Sequence, residues 1–109
     1  MDSRVEAVLE IAARKIAEPL LVNKLAPLVY LSPSHFEHLF KKETGQAFKT
    51  FVRGLRMIKA RDMLADRTMR VKLVAAAVGY SDASDFTRDF RKCYGHSPSQ
   101  ARSPFPQQV

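Results

Sequence analysis

The sequence predicts an all-α fold of seven helices, in which a helix-turn-helix layout occurs twice and a long linker helix joins the two copies. Apolar residues recur at spacings of three and four along most of the chain, as on one face of a helix. Serine-proline pairs and glycines interrupt this pattern at the expected helix ends. Residues 71–95 also repeat the pattern of residues 22–45. We therefore expect two homeodomain-like three-helix units and no strands.

Length and composition limit the class of protein. The 109 residues suit one domain, expected to span residues 1–109. A net charge of +7 and a pI near 9.9 favour a polyanionic partner. The single cysteine, Cys93, rules out an internal disulfide and is typical of a reducing compartment. Because no apolar run reaches the roughly 18 residues of a membrane span, we expect no membrane partner and a cytoplasmic, nucleoid-associated protein.

Both ends of the chain carry helix signals. Ser3-Arg4-Val5-Glu6 has the S-x-x-E spacing of a capping box and predicts a packing helix that ends near Pro19. Near the other end, Ser97-Pro98 predicts a short last helix through about residue 102, followed by a tail over residues 103–109. The apolar face of the first helix consists of Val5, Val8, Leu9, Ala12 and Ile16.

The first helix-turn-helix is predicted over residues 22–45. Its first helix covers residues 22–29 and carries Pro27 close enough to the first turn to be tolerated. Ser32-Pro33 then supplies an N-cap and a proline at the first helical position, and Gly45 ends the second helix. The residues expected to face the core are Leu25, Ala26, Leu28, Phe36, Leu39 and Phe40.

The linker helix is predicted over residues 48–66. Gly54 lies in its interior, where it either allows another helix to approach closely or is simply tolerated. Residues 47–70 hold seven basic residues against two acidic ones, which is most of the excess positive charge of the chain. The apolar stripe of this helix consists of Phe48, Phe51, Val52, Leu55, Ile58, Met63 and Leu64.

The second helix-turn-helix is predicted over residues 71–95. Gly79 supplies a corner with positive φ, which other residues resist. Arg70 stands where a helix cap is expected, so Thr68 is expected to act as the cap instead. The second helix of this unit is pinned to the core by two aromatic residues one turn apart, Phe86 and Phe90.

The two units align residue by residue. At an offset of 50, Phe36 pairs with Phe86, Phe40 with Phe90, Lys41 with Arg91 and Gly45 with Gly95. An offset of 49 pairs Ala26 with Ala75 and Tyr30 with Gly79 at the corner. The linker helix would span roughly 28 Å, which with its turns approaches the roughly 34 Å of one turn of B-DNA. One chain is therefore expected to place two recognition helices in successive major grooves.

Two motifs resemble the AraC/XylS family of transcriptional regulators. The first motif runs from Val29-Tyr30-Leu31-Ser32-Pro33 to Leu39-Phe40-Lys41-Lys42-Glu43-Thr44-Gly45. The second runs from Ala75-Ala76-Ala77-Val78-Gly79-Tyr80-Ser81-Asp82 to Tyr94-Gly95-His96-Ser97-Pro98. The resemblance implies a bacterial seven-helix domain that binds double-stranded DNA and commonly activates transcription, with RNA polymerase as a further partner. It also implies a separate effector-sensing or dimerisation domain, absent from this chain.

The open face of the first recognition helix is expected at Ser34, Glu37, His38 and Lys41, spaced i, i+3, i+4 and i+7. Glu37 can accept a hydrogen bond from cytosine N4, His38 can donate to a guanine edge, and Ser34 can bond a base or a phosphate. Lys41 is assigned to a phosphate. The alternative is that Glu37 and Lys41 form an exposed ion pair within the helix. The family usually has a basic residue at the position of His38.

In the second recognition helix, base contacts are expected from Ala83, Ser84, Thr87 and Arg88. Arg88 is the strongest candidate, because a guanidinium can bond guanine O6 and N7 together. The alternative is a salt bridge from Arg88 to Asp85 or Asp89. Phosphate contacts are assigned to Arg91 and to Arg53 of the linker helix. Lys49 and Arg56 either join them or belong to a solvated basic face.

Other chemistries lack their residues. His35 and His38 do not have the i, i+4 spacing of a helical zinc pair, and no Gly-rich phosphate loop occurs. Cys93 has no histidine in a catalytic pattern and is expected to be buried or idle. We therefore expect no enzyme, no catalytic residue, no metal and no cofactor. Two alternatives to sequence-specific DNA binding stay open: a helical protein-interaction module and a non-specific nucleic-acid binder.

Overall fold

A computed structural model describes residues 1–102, so the predicted tail at 103–109 lies outside the described residues. In that range the chain forms α-helices and one 3₁₀ segment and no strand, which confirms the all-α prediction. No helix among these residues is long and apolar enough to cross a membrane. The elements are α1 (Ser3–Arg14), α2 (Val22–Leu25), a 3₁₀ segment (Ala26–Val29), α3 (Pro33–Thr44), α4 (Phe48–Leu64), α5 (Val71–Ala77), α6 (Ala83–Tyr94) and α7 (Pro98–Ala101).

The chain divides into two compact units, Met1–Leu55 and a second unit that begins at Arg56. The division falls inside α4, and each unit has its own cluster of buried residues. Each unit contains one helix-turn-helix, α2 with α3 or α5 with α6. The apolar pattern did not predict this internal division, and the extent of a single domain over residues 1–109 stays a prediction.

Helix α1 begins and ends differently from the prediction. Asp2 is the N-cap, because its carboxylate accepts a hydrogen bond from the Arg4 N–H at 2.8 Å, whereas Ser3 is the first helical residue. The Arg4 guanidinium lies 2.9 Å from the same carboxylate, and these bonds lower the pKa of Asp2 to about 2. The helix ends at Arg14, before the predicted end near Pro19. The predicted capping box at Ser3 is therefore wrong.

The first helix of the unit 1 helix-turn-helix tightens after one turn. Pro27 has no N–H to extend the α-helical ladder, and residues 26–29 continue as a 3₁₀ segment. Leu28 is 62% exposed in this winding, so its predicted position in the core is wrong. Leu25 and Ala26 are buried as predicted, and Tyr30 ends the segment in the left-handed conformation at φ 61°.

Aromatic rings dominate the core of unit 1. Phe36, Phe40 and Phe48 are each at most 2% exposed, and both Phe36 and Phe40 meet the ring of Phe48 nearly edge-on, at 5.3 and 5.1 Å between centroids. Leu39 is partly buried against the same cluster. The predicted inward face of α3 is therefore confirmed, and its opposite face is left to the solvent.

Helix α4 contributes to both cores. Phe48 and Val52 belong to the core of unit 1, whereas Met57, Ala60 and Leu64 belong to that of unit 2. Ile58 is 51% exposed, so the prediction of one continuous apolar stripe is wrong at this position. A single stripe fails because the buried positions change register where the two units divide. The helix also ends at Leu64, two residues before the predicted end at 66.

Three caps fix the helices of unit 2. Asp82 caps α6 by accepting from the Ser84 N–H at 2.7 Å, and Ser97 caps α7 in a capping box with Gln100. Helix α5 has Arg70 at its N-cap with no side-chain bond. Thr68 donates its hydroxyl to Asp66 instead, so its predicted capping role is wrong. The Arg102 guanidinium donates to the backbone carbonyls of residues 64, 66 and 69 in the loop before α5.

The internal repeat is present in the backbone. Helices α3 and α6 have 12 residues each at an offset of 50, and both end at a left-handed glycine, Gly45 at φ 79° and Gly95 at φ 80°. At the corners, the N–H of Leu31 donates to Ala26 and that of Tyr80 donates to Ala75, an offset of 49. The predicted pairing of the two units is therefore confirmed at their helix ends and corners.

Candidate nucleic-acid interface

Helix α6 presents a polar face opposite two buried rings. Phe86 and Phe90 are fully buried, which turns the positions between them outward. Asp82 holds the start of the helix, and Gly95 ends it. The outward side chains line an open concave surface formed by Ala83, Ser84, Thr87, Arg88, Arg91 and Lys92. All five residues predicted for DNA contact in this unit therefore lie together on one surface.

Helix α3 presents the equivalent face in unit 1. Ser32 caps it through the His35 N–H at 3.2 Å, and Phe36 and Phe40 bury the opposite side. The four predicted contact residues are all exposed: Ser34, Glu37, His38 and Lys41. At the offset of 50 they match Ser84, Thr87, Arg88 and Arg91. The structure thus gives each unit a polar row with the same helical spacing.

No ion pair between Glu37 and Lys41 forms in the described part of the chain, so the alternative that the sequence left open is not realised there. Both side chains are exposed and can meet a ligand without first breaking a mutual contact. At Arg88 the opposite holds. Its Nη2 atom lies 3.1 Å from Asp85 Oδ1, and its Nε atom lies 4.0 Å from Asp89 Oδ1.

The Arg88–Asp85 pair is exposed, with 60% and 50% of the two side chains accessible. An exposed i, i+3 pair stabilises a helix by only about 0.2–0.5 kcal/mol. A bidentate contact between arginine and guanine is worth about 1–3 kcal/mol of discrimination. The guanine contact is therefore the stronger of the two, and the salt bridge does not prevent Arg88 from reading a base.

Sequence reasoning missed a hydrogen bond beside this face. The Tyr80 hydroxyl donates to Asp89 Oδ2 at 2.7 Å, and the Tyr80 ring packs edge-on against Phe86 at 5.5 Å between centroids. Asp89 was expected only to point away from phosphates. Its position one residue after Arg88, with a tyrosine at the corner, was the available signal.

The basic residues differ in their surroundings. Arg53 and Lys49 are exposed on α4, as a phosphate role requires. Arg56 is half-buried, and burial lowers the pKa of its guanidinium, against the attraction of Tyr80. Unit 1 holds eight basic and six acidic residues, and the chain from Arg56 onward holds ten and five. Most of the excess charge therefore belongs to unit 2.

Within residues 1–102, no group of three His, Cys, Asp or Glu side chains could hold a metal ion. Cys93 is exposed on α6, so of the two predicted states of this thiol the buried one is wrong.

Comparison with known proteins identifies the family. A family model described as a helix-turn-helix domain matches residues 25–103. The regulatory protein PocR of Salmonella typhimurium is 33% identical over 93% of this chain, and the chain covers 33% of its length. The arabinose operon regulatory protein of Escherichia coli is 31% identical over 100% of the chain, which covers 38% of that protein. The chain thus spans a little over a third of the curated relatives it matches.

A solved structure shares both fold and ligand class. The DNA-binding domain of the global transcriptional factor AdpA, solved in complex with a target DNA, is 26% identical. It superposes with a TM-score of 0.86 over 91% of this chain and 89% of its own. The match includes both helix-turn-helix units. The chain belongs to the AraC/XylS family of transcriptional regulators, as its helix-turn-helix DNA-binding domain.

Proposed function

We propose that this chain regulates transcription by placing α3 and α6 in successive major grooves of a specific duplex site. One observation carries the proposal: two capped helices of equal length each expose polar residues at i, i+3, i+4 and i+7, opposite a buried pair of phenylalanines. A recognition helix needs this arrangement, because one side must be fixed to the core while the other reads base edges. Two different faces in one chain favour an asymmetric site of roughly two helical turns.

The two faces carry different reading groups. In unit 2, Arg88 contacts guanine, Ser84 and Thr87 bond base edges, and the methyl of Ala83 meets a thymine methyl. In unit 1, Glu37 accepts from cytosine N4 and His38 donates to guanine, with Ser34 beside them. Because the His38 imidazole cannot form the bidentate contact of a guanidinium, unit 2 supplies more of the discrimination.

Phosphate contacts are assigned to Lys41, Arg53 and Arg91, all of which are exposed. The net charge of +7 supports them, since each neutralised phosphate releases counterions. Binding therefore falls steeply with salt, and each of these three residues contributes to the slope.

In the cell the domain acts as part of a larger cytoplasmic, nucleoid-associated activator that contacts RNA polymerase. Relatives about three times as long as the matched segment support a further domain for effector sensing or dimerisation. Its effector is not specified by this chain.

Selection from random duplex DNA tests the proposal. The wild-type chain is expected to enrich one asymmetric motif, with affinity in the nanomolar range. Arg88→Ala is expected to lose preference at one base pair in one half of the motif, and His38→Ala at one in the other half. Arg14→Ala, which removes an exposed positive charge from α1, is the matched control and changes no base preference.

Each alternative predicts a different outcome of the same experiment. A non-specific nucleic-acid binder enriches no motif but loses affinity with salt. A protein-interaction module shows neither motif nor appreciable DNA binding, and Arg88→Ala leaves it unchanged. Either result overturns the proposed function.

A further inference from the structure

Four side chains beside the α6 face form a connected chain of contacts. The fully buried Phe86 holds the ring of Tyr80, and the Tyr80 hydroxyl donates to Asp89 Oδ2 at 2.7 Å. The other oxygen of Asp89 faces Arg88 Nε at 4.0 Å. Asp85, one turn earlier on the helix, faces the guanidinium at 3.1 Å. The guanidinium is thus bracketed by two carboxylates, of which Asp89 is tied to the core.

The two carboxylates differ in freedom. Asp89 has a side chain only 17% exposed, and Tyr80 fixes one of its oxygens. Asp85 is 50% exposed. Asp85 can therefore be displaced by a DNA acceptor, whereas Asp89 stays in place and continues to orient Nε while the terminal nitrogens of Arg88 face the groove.

Unit 1 has no equivalent of this arrangement. At the matching offsets, Leu31 stands for Tyr80, His35 for Asp85 and Leu39 for Asp89. The remaining polar row is shared by the two units, so the bracket is not a requirement of the helix-turn-helix itself.

We infer that Asp89, held by the Tyr80 hydroxyl, is a positioning residue that with Asp85 sets how strictly Arg88 selects one base pair; this rests on the proposed function. Arg88 leaves Asp85 only for a partner with two acceptors in the right plane, as guanine presents with O6 and N7. A base with one acceptor does not compensate for the lost carboxylate. The negative charges also oppose a nearby phosphate, which keeps Arg88 from non-specific contacts.

Two variants separate the hydrogen bond from the charge. Tyr80→Phe removes the hydroxyl and keeps the ring that packs on Phe86. Asp89→Asn keeps an acceptor for Tyr80 and removes the negative charge. Glu10→Gln, on the exposed face of α1, is the control for the loss of one negative charge.

The readout is the base preference of each variant, measured by competition at every position of the selected motif. At the base pair identified by Arg88→Ala, both variants are expected to lose preference on the order of three- to tenfold, with other positions unchanged. Tyr80→Phe leaves affinity for random DNA unchanged, whereas Asp89→Asn raises it. Glu10→Gln changes no base preference. Thermal unfolding of each variant confirms that the chain is folded.

A double-mutant cycle completes the test. In the Arg88→Ala background, Tyr80→Phe is expected to have no further effect on base preference, because the residue that it positions is gone. The inference is overturned if Tyr80→Phe keeps full preference, loses it evenly at all positions, or acts equally without Arg88. Failure of the proposed function is distinct, since the wild-type chain would then enrich no motif.

Discussion

Tyr30 occupies a corner whose counterpart in unit 2 is a glycine. Its φ is 61°, and it is the one non-glycine residue of residues 1–102 with positive φ. An L-residue in this conformation is destabilised by roughly 1–2 kcal/mol relative to its right-handed form, whereas glycine is not. The side chain is 95% exposed, so Tyr30→Gly removes almost no packing. Glycine also gives the unfolded chain more freedom, which offsets about 0.5–1 kcal/mol of the gain.

Tyr30→Gly is therefore expected to raise the free energy of unfolding by about 0.5–1 kcal/mol. Urea denaturation monitored by far-UV circular dichroism measures this change, with the m-value unchanged. Tyr30→Ala is the matched control: it removes the ring but keeps the left-handed strain, and its effect is expected to stay within about 0.5 kcal/mol. If Tyr30→Gly destabilises the chain, or if Tyr30→Ala stabilises it as much, backbone strain at this corner is not the cause.

Further predictions concern single positions in each unit. Gly54→Ala is expected to stabilise the chain by about 1 kcal/mol in the same urea assay, because an added Cβ would meet no atom within 4 Å; a destabilised variant would reveal a close approach. Tyr94→Phe is expected to be neutral or stabilising by up to about 1 kcal/mol, since its buried hydroxyl finds no hydrogen-bond partner within residues 1–102; a loss would contradict this. Asp82→Ala removes the cap of α6 and is expected to destabilise by about 1 kcal/mol, with Asp82→Ser as the control that restores it. The lowered pKa of Asp2, about 2 against 3.8, means that its contribution is present above pH 4 and is lost as pH falls towards 2; Asp2→Asn should remove that part of the acid titration, and an unchanged titration would contradict the assignment.

The sequence predicted well wherever a local signal determined the structure. Ser32-Pro33 and Gly45 marked the ends of α3 to the residue, because cap and left-handed glycine chemistry depend on only a few neighbouring residues. Phe36 and Phe40 recur at helical spacing, and that spacing defines the buried face wherever a helix packs on one core. The contact faces of α3 and α6 followed from the same reasoning.

Predictions failed where two signals competed. At the N-terminus, Asp2 and Ser3 are both good caps, and the sequence alone did not distinguish them; the added bonds from Arg4 favour Asp2. At Leu28, helical spacing was the wrong rule, since Pro27 lies in a 3₁₀ segment with a different period. The Tyr80–Asp89 bond joins positions nine residues apart across a corner, and no periodicity contains that information.

Helix α4 explains how one chain builds two similar units without a separate connection. Its first part starts at Phe48, 50 residues before α7 starts at Pro98, and both positions are buried. Its later part repeats the spacing of the buried residues of α1: Val5, Val8 and Ala12 match Met57, Ala60 and Leu64 at an offset of 52. One helix thus serves as the last helix of unit 1 and the first helix of unit 2. This double role accounts for the exposure of Ile58, because a residue near the change of register has no core to enter. It also ties the two reading faces to one continuous element, so an insertion within α4 should alter the spacing between the two halves of the selected motif without changing either half.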